Sequence, residues 1–193
     1  MNRVSKRERG VTFVEIIIVV VVIMVVSAIV MPDILNSLYG VRLRSSVNSV
    51  AGLMQAARMR AVKENKTYFV HSGVFDQAMI LWADDQATST APAANNPQAS
   101  LSGGVQLVTS GNPGNPTLDF NPIRDSLPIF NSHGMPCAMN GTSCLNWNGS
   151  GSVGYQLYLT DSRGVGPNGW ATVVVAPGGR MQRWMYNGGA WGN

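Results

Sequence analysis

The chain has 193 residues, 45% of them hydrophobic and 12% charged, with a formal net charge of +4. Residues 1–10 hold four of the fourteen basic side chains and one of the ten acidic ones, leaving ten against nine, a net of +1, in the rest. Bulk basicity therefore belongs to the first ten residues, and two cysteines with the isolated His71 and His133 exclude a zinc cluster.

Arg3, Lys6, Arg7 and Arg9 precede Gly10, and a run apolar except for Thr12, Glu15 and Ser27 follows from Val11 to Met31. Its 21 residues make about 32 Å of helix, matching a hydrocarbon core of about 30 Å. Val and Ile favour strands in water, but in lipid an isolated strand leaves its backbone unpaired, so a helix is expected. The basic flank favours a cytoplasmic N-terminus, with residues 33–193 on the far side of the membrane. Glu15 needs a reason, because an acid in hydrocarbon costs about 2.5–3.5 kcal/mol or more. Two plainer readings stand beside this one. A secretory signal peptide would be cut near Val26-Ser27-Ala28, although the apolar run is long for one and contains the acid. A simple one-pass anchor would let Glu15 snorkel to the interface.

Pro32 predicts a kink in the helix rather than its end. Beyond it, Leu43, Val47, Val50, Met54, Ala57 and Ala61 recur at spacings of four and three, a stripe that would pack on a globular domain. Arg42, Arg44, Arg58, Arg60 and Lys63 lie largely beside the stripe. One long helix from Val11 to Glu64 is the reading, with two helices meeting near Gly40 as the alternative.

From Thr67 onward short apolar or alternating runs predict strands at Thr67–His71, Ala78–Ala83, Val105–Thr109, Thr117–Phe120, Leu127–Phe130, Gly154–Thr160, Ala171–Ala176 and Met181–Met185, with a loop as the alternative at Thr117–Phe120. The resulting division is residues 1–10 as a cytoplasmic leader, 11–36 as the membrane half of the helix, 37–66 as its amphipathic half, and 67–193 as one β-rich domain. The fold class is α+β, with an antiparallel sheet. Residues 84–100 read as a flexible polar loop inserted between strands. Cys137 and Cys144 enclose six residues, and export would place them where a disulfide forms and limits the motion of their loop.

No acidic residue follows Asp161, while Arg163, Arg180 and Arg183 remain, the last two near Trp184. Cations beside aromatics can contact phosphates and stack bases, which makes these arginines candidate DNA contacts; ordinary edge-strand charges are the plainer reading. Trp147, Trp170 and Trp184 are candidate tip-interface residues, although core or sheet surface is the plainer reading of each. No paired acids, nucleophile–base set or phosphate-cradling loop occurs, so neither catalysis nor a cofactor or metal is expected.

The string Gly10-Val11-Thr12-Phe13-Val14-Glu15 before a long apolar helix resembles the processing site of type IV pilins and type II secretion pseudopilins. The resemblance implies a prepilin peptidase that cuts after Gly10 on the cytoplasmic face and methylates the amine of Val11. It also implies assembly with major and minor pilins or pseudopilins from the inner membrane through an assembly platform. Glu15 would then pair with the cationic N-terminus of an adjacent subunit, where neither charge is left alone in an apolar setting. The helix would be membrane anchor first and filament core afterwards, with the β-rich domain in the periplasm or at the filament tip.

Gln55–Lys66, Phe130-Asn131-Ser132-His133-Gly134, GYQLYLT and WATVVVAPGGR further resemble the subgroup of GspH, FimT and FimU. That resemblance implies a minor type IV pilin, or alternatively a minor pseudopilin of a type II secretion system or a DNA-binding minor pilin. The FimT branch binds DNA through a late Gly-Arg-x-Arg element. Here Gly179-Arg180-Met181-Gln182-Arg183 is one residue longer, which in a strand predicts arginines on opposite faces.

Overall fold

The structure is a computed structural model and describes residues 12–109, 112–147, 149, 151–161, 163 and 169–192; Gly10 and Val11 lie outside them. The chain divides into two compact units, residues 1–37 and 38–193.

The first unit contains the beginning of α1, a helix with bounds Phe13–Glu64 that include Pro32. Within it, Phe13–Met31 has a mean hydropathy of 3.2 and is long and apolar enough to cross a membrane. Thr12 caps it: the Glu15 N–H donates to Thr12 Oγ1 at 3.3 Å, and the Ile16 N–H to the Thr12 carbonyl at 3.3 Å. The Thr12-Phe13-Val14-Glu15 string therefore has the spacing of a capping box, with an acid where the helix dipole favours one.

In the second unit α1 runs to Glu64 and ends in a left-handed Asn65, φ 51°. The Lys66 N–H returns to the Ala61 carbonyl and the Asn65 N–H to that of Val62, the two bonds of a Schellman motif. All six residues of the predicted stripe are buried, joined by Ser46, Ala51 and Leu53. Their partners come from two antiparallel sheets.

The first sheet has the order β3-β2-β1-β5, formed by Gln98–Ser100, Ala78–Asp84, Tyr68–Phe75 and Ile129–Phe130. β1 continues four residues beyond the expected end at His71 and turns tightly through Asp76 and Gln77, both at positive φ, to pair Phe75 with Ala78. Gly73 fits inside the strand because a Cβ there would sit 3.3 Å from the Trp82 ring and 2.9 Å from that of Phe75. The polar insertion also departs from expectation. It ends in β3, which pairs with β2, and its start is tied down by buried Asp84, which accepts from the Gln86 N–H at 3.0 Å and lies 3.1 Å from His71 Nε2.

The second sheet has the order β11-β10-β9-β8-β4, formed by Trp191–Gly192, Met181–Tyr186, Trp170–Val175, Tyr155–Asp161 and Val105–Val108. β8 and β9 are buried on both faces. Tyr155, Leu157, Leu159, Ala171, Val173 and Val175 join the cluster containing the helix stripe. On the alternate positions, Tyr158 donates to Asn115 Oδ1, and Arg124 Nε donates to Gln156 Oε1 at 3.1 Å. Residues 112–127 thus contribute partners to that face.

The expected strand at Thr117–Phe120 is absent. Pro113, Pro116 and Pro122 remove ladder donors from this stretch, and its pairing with β8 is confined to a bridge between Ile123 and Tyr155.

β6 (Ala138–Asn140) and β7 (Ser143–Leu145) form a separate hairpin, closed by a disulfide between Cys137 and Cys144 with Cα atoms 5.4 Å apart. Cys137 is fully buried, and its carbonyl accepts from the hydroxyl of Tyr155, whose pKa burial pushes up to about 12. Changing both cysteines to Ser is expected to cost about 2 kcal/mol, the loop-closure value for so short a ring. Urea unfolding with and without reductant checks this, because reductant should bring the parent to the stability of the double variant.

Candidate assembly surface

Two regions carry the sequence-predicted site residues. In the first unit, Glu15 sits in the first turn of α1 with its backbone N–H held by Thr12. The neighbouring Phe13, Val14, Ile16 and Ile17 are exposed, so this acid lies on an apolar surface. Thr12 is a capping partner that the membrane-cost argument for Glu15 does not reveal, although the Thr-x-x-Glu spacing does.

In the second unit the three candidate DNA-contact arginines are spread along α1. The Arg163 guanidinium lies 5.7 Å from the Tyr39 ring centroid and 3.4 Å from buried Asp161. Arg183 Nη1 donates to Asn48 Oδ1 at 2.7 Å. Tyr39 and Asn48 are nine residues apart, about two and a half helical turns, which puts Arg163 and Arg183 on opposite flanks of the helix. Arg180 lines a groove with Arg58, Met59, Val62 and Lys63, whereas Arg183 lines another with Arg44 and Asn48. Arg180 and Arg183 therefore border the same helix through separate grooves. Arg180 precedes β10, so strand alternation does not reach it.

Arg58 is the organising residue of the first groove. Nη1 donates to the Gly179 carbonyl at 2.9 Å, in the turn between β9 and β10. A Cβ at Gly179 (φ +77°) would lie 2.8 Å from Arg58 Cζ, and a Cβ at Gly134 (φ +74°) would lie 3.1 Å from Arg58 Cγ. The side chain is thus laid flat between two glycines of different turns, each held left-handed where a larger residue is strained. The Gly134 turn is closed by Asn131, whose Oδ1 accepts from the N–H groups of His133 and Met135, both at 3.0 Å.

Among the candidate interface tryptophans, Trp147 is 59% exposed, while Trp170 and Trp184 are half-buried. Met139 and Leu145 on the disulfide-closed hairpin are also exposed. His133 is exposed, and His71 stacks on Trp82 with centroids 5.5 Å apart.

The first unit thus holds a segment apolar enough to span a membrane, and the second a β-rich domain packed on the later turns of α1. Residues 5–31 match the family described as the prokaryotic N-terminal methylation motif. The chain accordingly carries the N-terminal signal of type IV pilin-like proteins. No curated protein matches it. It is similar to the solved structure of the minor pseudopilin EpsH from the Type 2 Secretion System of Vibrio cholerae, at 12% identity, with a TM-score of 0.41, over 74% of this chain and 95% of that one.

Proposed function

We propose that this chain is a minor type IV pilin, a subunit that primes or caps filament assembly through helix packing and contacts of its β-rich domain. The observation that carries the reading is the methylation motif over residues 5–31, which encloses Gly10, Val11 and Glu15 at the head of an apolar helix. In this reading, residues 1–10 are the leader, and the peptidase cuts after Gly10 and methylates Val11. The β-rich domain is held in the periplasm until α1 leaves the membrane for the filament. Helix packing supplies the apolar burial, and Glu15 supplies registry against a neighbouring amine. A minor pseudopilin would be processed in the same way and differ in the filament it joins. A single DNA grip is disfavoured by the placement of Arg163 and Arg183 on opposite flanks of α1.

Co-expression with a prepilin peptidase tests the reading. Intact mass should show loss of residues 1–10 and one added methyl group, with Gly10→Val blocking both. The mature chain should then be recovered in sheared pili. Cleavage elsewhere, for instance near Ala28, would replace this reading with a secreted protein.

A further inference from the structure

We propose that the groove between the second half of α1 and the β9–β10 turn docks an acidic, apolar-centred peptide segment of a different pilin-like subunit. The proposal rests on the reading of the chain as an assembling subunit. The groove has a volume of about 710 Å³, and all its lining residues belong to the second unit. Met59, Val62 and Met181 provide apolar lining; Met59 is 65% exposed and Val62 52%, although both stand on a helix whose opposite face is core. Exposed apolar residues grouped on a single element mark an interaction surface, and methionine adapts to partners of varied shape.

The charge of the groove selects the partner. Arg180 and Lys63 are exposed at its edge beside Arg58, and among the described residues none of the three has a carboxylate within 4.0 Å. Among the described residues no acidic one lines the groove, and none follows Asp161 in the sequence. A segment with an apolar side chain flanked by Asp or Glu would cover the methionines and meet the cations at the rim. A nucleic acid fits less well, because among the described residues no aromatic one lines the groove to stack a base. The pinned Arg58 gives this surface a fixed floor, so little ordering would be needed on docking.

The test places a photo-crosslinking amino acid at Met59 of the full-length chain in cells that assemble the filament, with adducts sequenced by mass spectrometry. The expected adduct is a peptide of another pilin-like subunit with Asp or Glu within two or three residues of the crosslinked position. Its yield should fall about tenfold in the Arg180→Glu, Lys63→Glu double variant and stay unchanged in Arg44→Glu. An adduct with lipid, nucleic acid, a second copy of this chain or a segment without acids would overturn the proposal. So would a yield indifferent to the charge reversal. Processing and filament incorporation are followed in the same cells. Incorporation without an adduct defeats this proposal alone, whereas absence of processing defeats the functional reading and the proposal with it.

Discussion

Glu15→Gln should insert into the membrane at parental levels, keep the helix cap, and fail to enter filaments. Gln serves as well as Glu at the third position of a capping box, and the bond actually made, from the Glu15 N–H to Thr12 Oγ1, uses no side-chain atom of residue 15. Only the charge is lost. If that charge neutralises the amine of an adjacent subunit, its removal strands a cation in an apolar bundle, at about 3–5 kcal/mol per contact. Incorporation should then fall by two orders of magnitude or more. The measurement is the ratio of subunit in sheared filaments to subunit in membranes, for Gln and Ala variants side by side. Parental incorporation of Glu15→Gln would show that the charge of residue 15 pairs with nothing in the filament, whatever Glu15→Ala does.

The second large effect concerns Gly179. Gly179→Ala should destabilise the domain by about 3 kcal/mol. Holding a non-glycine residue at φ +77° costs about 1 kcal/mol or more, and the new methyl group would meet Arg58 Cζ at 2.8 Å and the Gly134 carbonyl oxygen at 3.0 Å. Displacing the guanidinium also breaks its bond to the Gly179 carbonyl, worth about 1.5 kcal/mol for a charged donor. With Arg58→Ala in the background, the clash with the guanidinium disappears and the same change should cost about half as much. Urea unfolding of the four full-length proteins in detergent, followed by tryptophan fluorescence, gives the coupling. An additive cycle would mean that Arg58 does not occupy the space between the two turns in solution.

What the sequence discloses here depends on how local the cause is. The stripe from Leu43 to Ala61 is readable because a single periodicity determines it, and every member is buried. The Thr12 cap is equally local, contained within four letters. The true end of β1 is not, because Gly73 reads as a breaker until the Trp82 ring occupies the space its side chain would fill. β3 lies in a polar insertion and becomes a strand only through pairing with β2. At Thr117–Phe120 the opposite error arises, since apolar letters suggested a strand that the surrounding prolines do not support. Least legible is the seat of Arg58. Gly134 and Gly179 each signal a turn, but nothing short of the folded chain says that both turns close on the same guanidinium.

The Gly134 turn follows β5 of the first sheet, and the Gly179 turn joins β9 to β10 of the second. One side chain of α1 therefore touches a turn from each sheet, bonded to the Gly179 carbonyl of the second and packed against Gly134 beyond the first, so a change at Arg58 is felt by both sheets at once.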